Sequence, residues 1–411
     1  MNSKIKKLPE LLVPANNLNT LKYAIHYGAD AVYVGGKQFN LRSIRGNFTI
    51  SQLGQAVNYA HQRKVKVYLT LNSILSEDQI GKFKHYIEKL KAIEVDAVIV
   101  SDMGVFNQIC RLWPGVNINI STQANTNNSE AVNFWAKLGA KRVNIAREVS
   151  FKNLKNIIGK AESEIEVFTH GALCISYSGR CMLSKYMSGR DANQGKCAHS
   201  CRWKYYLMEE ERPNLFFSIM QDHTGTYIYN SRDLCLLPKL KELVKAGVDS
   251  LKIEGRMKTE NYVGQVTWVY RKALDYIREN RFGPEKIRYL MGELDKASHR
   301  NFTLGFMFAK DRKELEDNDN VGYIKKYSFI GVYQGYSKQW QGPVIRVKNQ
   351  FRRKQIIDIV QPYQQPIEFQ ADKIIDKKTG QSTDVANPND VVVLPETGKI
   401  DKYSLLRVKM V

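Results

Sequence analysis

A chain of 411 residues, 43% of them hydrophobic, can bury a large core and divide into one large and one small domain, which excludes a disordered protein. Lysine and arginine outnumber aspartate and glutamate by 62 to 41, a net charge of +21 that attracts polyanions, nucleic acid first among them. No run of eighteen apolar residues occurs, and MNSKIKKLPELLVPANN contains no apolar stretch of signal-peptide length, so the expectation is a cytoplasmic protein without a membrane span.

In chain order, short apolar runs occur at ELLVPA (10–15), YGADAVYVGG (27–36), KVYLTLN (66–72), IEVDAVIVSD (93–102), VNINIST (116–122), LGAKRVNIARE (138–148), IEVFTHG (165–171) and AGVDSLKIEGR (246–256). Near-continuous valine and isoleucine, in place of strict alternation, is the pattern of buried parallel strands. Amphipathic segments such as SQLGQAVNYAHQRK and SEDQIGKFKHYIEKLKA lie between them, with Ser51 and Ser76 as N-caps. Cys110, in VFNQICRLW, reads as a buried core thiol. Eight strands with helical crossovers predict an α/β fold, a (β/α)8 TIM-like barrel, with a doubly wound open sheet as the alternative.

In such a barrel the carboxyl ends of the strands carry the site. The polar residues there are Asn16, Asn40, Arg42, Asn72, Asp102, Gln123, Arg147, Glu148, His170, Glu254 and Arg256. A polar ring with several arginines suits an anionic small substrate or a phosphate backbone. About eighty residues separate His170 from Asp249, so a long insertion lies between strands seven and eight. After TENYVGQVTWVYRKALDYI and a helical linker containing PEKIRYLMGELDKA, alternating runs between turn signals predict a small antiparallel β-barrel or sandwich. The domains expected are 1–283 for the barrel, including a Cys-rich insertion at about 172–236, 284–322 for the linker, and 323–411 for the C-terminal β-barrel domain. Arg352 to Lys354, beside Phe351, form a basic run suited to RNA or to a solvated hairpin.

Five of the six cysteines fall between Cys174 and Cys235. Structural disulfides are not expected in a cytoplasmic chain, so such clustering indicates metal or redox chemistry. The gaps, six residues from Cys174 to Cys181, fifteen to Cys197, three to Cys201 and thirty-three to Cys235, match neither zinc fingers nor bacterial ferredoxins. Placement is more telling: Cys174 lies just above the barrel mouth. SRDLCLLPKLKELV reads as placing Cys235 on the first turn of a helix, with Asp233 as its cap, where thiolate is favoured. Four thiolates round one centre mean an all-cysteine zinc site or an iron–sulfur cluster; the alternative is a set of unconnected core cysteines.

HGALCISYSGRCMLSKYMSGRDANQGKCAHSCRWKY, with ELLVPANNLNTLKYAIHYGADAVYVGGKQFNLR before it and SLKIEGRMKTENYV and HRNFTLGF after it, resembles the collagenase-like peptidase family of unknown catalytic type. Within that family it is similar to the bacterial proteins that hydroxylate tRNA wobble uridine with prephenate. The resemblance covers nearly the whole chain. It implies an iron–sulfur enzyme, the cluster being of the 4Fe-4S kind, that hydroxylates C5 of the wobble uridine in the tRNA anticodon loop without molecular oxygen. Related members hydroxylate quinone precursors, and a family paralogue is a possible partner. The ligands implied are Cys174, Cys181, Cys197 and Cys235, with Cys201 as a neighbour whose i,i+4 spacing from Cys197 also makes it eligible. For a dicarboxylate such as prephenate, Arg42, Arg147 and Arg256 are the expected clamps, and His170 and Glu254 the acid/base candidates. A peptidase is the first rival, although neither HExxH nor GxSxG occurs. A non-enzymatic RNA-binding protein with a structural cluster is the second.

Overall fold

The computed structural model describes residues 7–41, 46–174, 176–202, 207–209, 212–217, 220–222, 225–227, 232–309, 323–395 and 397–410. The eight apolar runs form β1 (Glu10–Pro14), β2 (Ala31–Gly35), β3 (Lys66–Thr70), β4 (Ala97–Val100), β5 (Ile118–Ile120), β6 (Ala140–Asn144), β7 (Glu164–Ala172) and β8 (Ser250–Ile253). They pair in parallel in this order, and β8 pairs with both β7 and β1, closing the barrel. Helices α1 (Leu18–His26), α2 (Ile50–His61), α3 (Glu77–Leu90), α4 (Met103–Leu112), α5 (Ser129–Lys137) and α6 (Phe151–Ile158) surround it.

Local chemistry sets the helix starts, with one correction. Thr49, not Ser51, caps α2: Gln52 N–H donates to Thr49 Oγ1, and the Gln52 side chain accepts from Thr49 N–H. Ser51 lies inside the helix. Ser76 does cap α3. Cys110 is exposed, because α4 turns Val105, Phe106 and Ile109 to the core and so turns position 110 outwards.

Strand alternation divides the barrel into two layers. Leu11, Val13, Val32, Val34, Val67, Leu69, Val98 and Val100 face outwards to the helices, while Leu12, Ala31, Tyr33, Tyr68, Ala97 and Ile99 form a separate apolar cluster inside. On the β6–β8 side the interior is charged. Buried Glu166 accepts from Lys252 Nζ at 2.8 Å, Ser250 Oγ at 3.0 Å and Asn144 Nδ2 at 2.9 Å. Arg142 bridges Glu166, Glu10 and Glu164. Breaking such a buried pair costs about 3–5 kcal/mol, because a charge is left without its partner.

After β7, the insertion runs through short 3-10 turns and the helix α7 (Leu183–Ser188). It returns as a short strand, Asp233–Cys235, antiparallel to the end of β7, then leads through α8 (Leu240–Ala246) into β8. The reading of Cys235 as a helical residue capped by Asp233 is therefore corrected. Both lie in a strand fixed by β7 on one side and by Phe302–Thr303 on the other.

Beyond α9 (Glu260–Arg278) and α10 (Pro284–Asp295), a seven-stranded antiparallel sheet and a two-stranded one between Tyr327 and Lys409 surround a second core that includes Ile330, Ile345, Ile357, Val392 and Leu406. This sheet is seated on the barrel. Tyr27 Oη donates to Val360 O (2.8 Å) and Tyr403 O (2.9 Å), and Trp268 Nε1 donates to Gln364 O (2.8 Å). Arg407, buried, donates to Asp358 and to Glu293 of α10, so the linker helix forms part of the interface.

Candidate site at the barrel mouth

The carboxyl ends of the strands surround a recess of about 50 Å³ lined by Thr70, Asn72, Ser121, Gln123, Arg147, Lys252, Glu254 and Arg256, among others. Adjoining it, and sharing Leu41, Gln123, Arg147 and Glu254 as lining, is a cavity of about 170 Å³ roofed by the insertion. Cys174, Cys181, Cys197 and Cys201 all border this upper cavity.

Two glycines allow the close packing at the mouth. A Cβ on Gly171, whose φ is +108°, would meet Glu254 O at 2.6 Å, and one on Gly35 would meet the Arg256 guanidinium at 2.6 Å. Arg256 is buried and donates to Thr70 Oγ1 and Asn40 Oδ1, which aim it across the recess. Arg147 lies 4.2 Å from the centre of the Phe168 ring. Lys252 rises from the charged interior to form the floor. Burial pulls its pKa below the usual lysine value, and the Glu166 carboxylate opposes that shift. Two arginines, a lysine already paired with Glu166, and one carboxylate, Glu254, thus converge in a small recess, a charge pattern suited to an organic anion.

The roof is pinned to the barrel by Glu148, which accepts from Ser178 N–H at 2.7 Å and Ser178 Oγ at 2.5 Å. Ser178 is buried with φ +44°, a left-handed conformation that these two bonds hold in place. Arg180 Nε donates to Gln123 O at 2.7 Å, and Ile74 N–H to Asn193 O at 3.2 Å.

Of the residues expected from sequence, Arg147, Arg256, Glu254, Cys174, Cys181 and Cys197 border these cavities; Arg42 lies outside the described residues. His170 is placed elsewhere. Alternation from Glu166 and Phe168 would turn it inwards, but β7 gains one residue at Thr169, where the pairing passes from Phe168↔Lys252 to His170↔Ile253. This bulge reverses the strand's facing, so His170 joins Ile253 on the outer side. There it packs against Tyr262, Tyr270 and Phe302, and burial pushes its pKa down to about 3. A neutral imidazole outside the cavity is not placed for acid/base work there.

Cys235 is the second displaced residue. It pairs with His170 across the strands, sits 3.8 Å from Met291 Sδ, and borders neither cavity. Burial pushes its thiol pKa up to about 12. Cys201 takes the fourth place at the cavity. Among the described residues no three His, Cys, Asp or Glu side chains converge on one point as they would round a single metal ion. Four thiols bordering one cavity do match the donor set of a multi-iron cluster, one thiolate to each iron. Lys252 and Glu166 went unnoticed in sequence because each reads as a stray charge in a strand; only the fold brings β7 and β8 together.

Family models match at residues 16–317, described as peptidase family U32, and at 325–407, described as the C-terminal domain of that family. The chain is 33% identical over 406 residues to tRNA hydroxylation protein P1 of Bacillus subtilis (strain 168), covering 98% of this chain and 95% of that one. It is 38% identical over 338 residues to a protein of Methanocaldococcus jannaschii named an uncharacterized protease, covering 80% and 81%. With the 23S rRNA 5-hydroxycytidine C2501 synthase of Escherichia coli (strain K12) it shares 32% identity over 332 residues, covering 79% of this chain and 48% of that one.

Proposed function

The chain belongs to peptidase family U32, and from that membership we infer that it is an RNA-modifying enzyme, a hydroxylase of C5 of the wobble uridine in tRNA that uses prephenate. The names of its relatives support RNA hydroxylation, one acting on tRNA and another forming 5-hydroxycytidine in rRNA. The observation that carries the reading is the two-part cavity, with thiols on the roof side and Arg147, Lys252 and Arg256 on the barrel side.

In this reading Cys174, Cys181, Cys197 and Cys201 hold an iron–sulfur cluster, which supplies one-electron chemistry when bound. Arg147, Lys252 and Arg256 bind the carboxylates of prephenate and fix its orientation. Glu254, which borders both compartments, is the carboxylate placed to accept or return a proton at the bound substrate. The roof pinned by Ser178 and Glu148 covers the cavity on the side of the insertion. The uridine, unpaired in its loop, enters from the rim at little cost.

The test is anaerobic. Purified protein restored with iron and sulfide is incubated with tRNA lacking the modification, with and without prephenate, and the nucleosides are analysed by mass spectrometry. Formation of 5-hydroxyuridine only with prephenate is expected. Product without prephenate, or dependent on oxygen, would contradict the reading.

A further inference from the structure

Cys174 to Cys201 contain four basic residues, Arg180, Lys185, Arg190 and Lys196, all exposed, and a single carboxylate, Asp191, which pairs with Lys185 at 3.4 Å. The surplus is 4 − 1 = +3 on one short segment. Large apolar side chains stand among these cations: Tyr186 is 88% exposed, Met182 67% and Tyr177 48%. Tyr186 is the most exposed large apolar side chain among the described residues. Helix α7 has two sides here, since Leu183 and Ser184 line the thiol cavity while Tyr186 is turned to solvent. A larger cavity, about 990 Å³ at the opposite end of the barrel, differs in that four of the seven lysines and arginines lining it, Lys66, Arg142, Arg271 and Arg278, are paired with Glu10, Glu164, Asp30 and Asp275. The C-terminal basic run differs too: Phe351 is buried in the β-domain core, and Arg353 is paired with Asp384.

We propose that the outer face of the insertion, Tyr177, Met182 and Tyr186 with Arg180, Lys185, Arg190 and Lys196, is the docking surface for a single-stranded RNA loop. The inference rests on the RNA-hydroxylation reading and deepens it. A loop offers unpaired bases that stack on an exposed aromatic ring and phosphates that pair with surrounding cations. Tyr186 stacks a base flanking the target, and the cations hold the backbone across the roof. The target base then reaches the cavity past the inner side of the same helix. The C-terminal domain stabilises the barrel and does not read the loop.

The experiment measures binding of the full chain to a short RNA hairpin with an anticodon-type loop, across a salt series. Tyr186→Ala, a change at a solvent-facing side chain, is expected to weaken binding about tenfold with the salt slope unchanged, while Tyr186→Phe retains affinity. Lys185→Ala combined with Arg190→Ala is expected to lower the slope of log K against log salt by about 0.7 for each charge removed. Replacing Arg352, Arg353 and Lys354 by alanine is expected to leave affinity unaltered. Unchanged binding by Tyr186→Ala overturns the proposal, as does a loss confined to the C-terminal variant. Altered self-association with RNA binding intact would assign the face to a second copy of the chain and also overturn it. If the wild-type chain binds no hairpin, the hydroxylation reading fails with the proposal; if it binds and Tyr186→Ala binds equally, only the docking surface fails.

Discussion

Cys201 and Cys235 differ by placement alone: one borders the cavity at the barrel mouth, the other is sealed behind β7 against Tyr270 and Met291. On the proposed iron–sulfur reading, Cys201→Ala is therefore expected to lose most of the iron and sulfide taken up on reconstitution, whereas Cys235→Ala keeps them and loses about 1–2 kcal/mol of stability from a small core void. Full iron in Cys201→Ala and none in Cys235→Ala would reverse the assignment. His170 makes a pH prediction. Its folded pKa is depressed from 6.5 to about 3, so the unfolded chain takes up a proton that the folded chain refuses. Stability from this residue is complete above pH 6.5 and falls by about 1.4 kcal/mol per pH unit as pH drops towards 3. Half-buried His26, with its pKa lowered to about 4, adds a slope of the same sign. His170→Gln should flatten urea-denaturation midpoints between pH 6 and 5, roughly one unit of that window; an unchanged slope would show that His170 titrates normally.

Among elements, the barrel strands were legible because a buried parallel strand needs a dense apolar run, and all eight runs became strands. What alternation could not show was the extra residue at Thr169, a feature of pairing between β7 and β8 that leaves no mark on β7 itself and sends His170 to the wrong side. For the same reason the polar interior escaped notice: Glu166 and Lys252 become partners only once strands distant in sequence are side by side. Among the bonds that tie the roof to the barrel, two go to one acidic side chain. Glu148→Ala removes both bonds that hold Ser178 in its left-handed conformation, so proteolytic cleavage within residues 174–201 is expected to rise about tenfold while the barrel's melting temperature changes little. Equal cleavage of wild type and variant would show that the roof is held elsewhere.

For the molecule as a whole, the net charge of +21 agrees with a polyanionic partner, but charge alone does not locate its surface. The two domains share buried ion pairs. Arg407→Ala would leave Glu293 and Asp358 buried with Lys296 as their remaining cation, at a cost of about 3–5 kcal/mol read from the urea midpoint. An unshifted midpoint would mean that the interface is held by its apolar contacts and the hydrogen bonds of Tyr27 and Trp268. The division into barrel and β-domain was legible from the change of hydrophobic period near Tyr323, whereas the part α10 plays in joining them was not, because Glu293 looks like any solvated charge in a polar helix. The account stands on RNA hydroxylation at a cavity shared by four thiols and three cations. The most direct measurement is nucleoside mass spectrometry of tRNA from a strain lacking this chain and any paralogue, complemented with wild type, Cys201→Ala or Cys235→Ala. The account predicts that 5-hydroxyuridine-derived wobble nucleosides return with wild type and Cys235→Ala and stay absent with Cys201→Ala; their presence in the uncomplemented strain, or their return with Cys201→Ala, would contradict it.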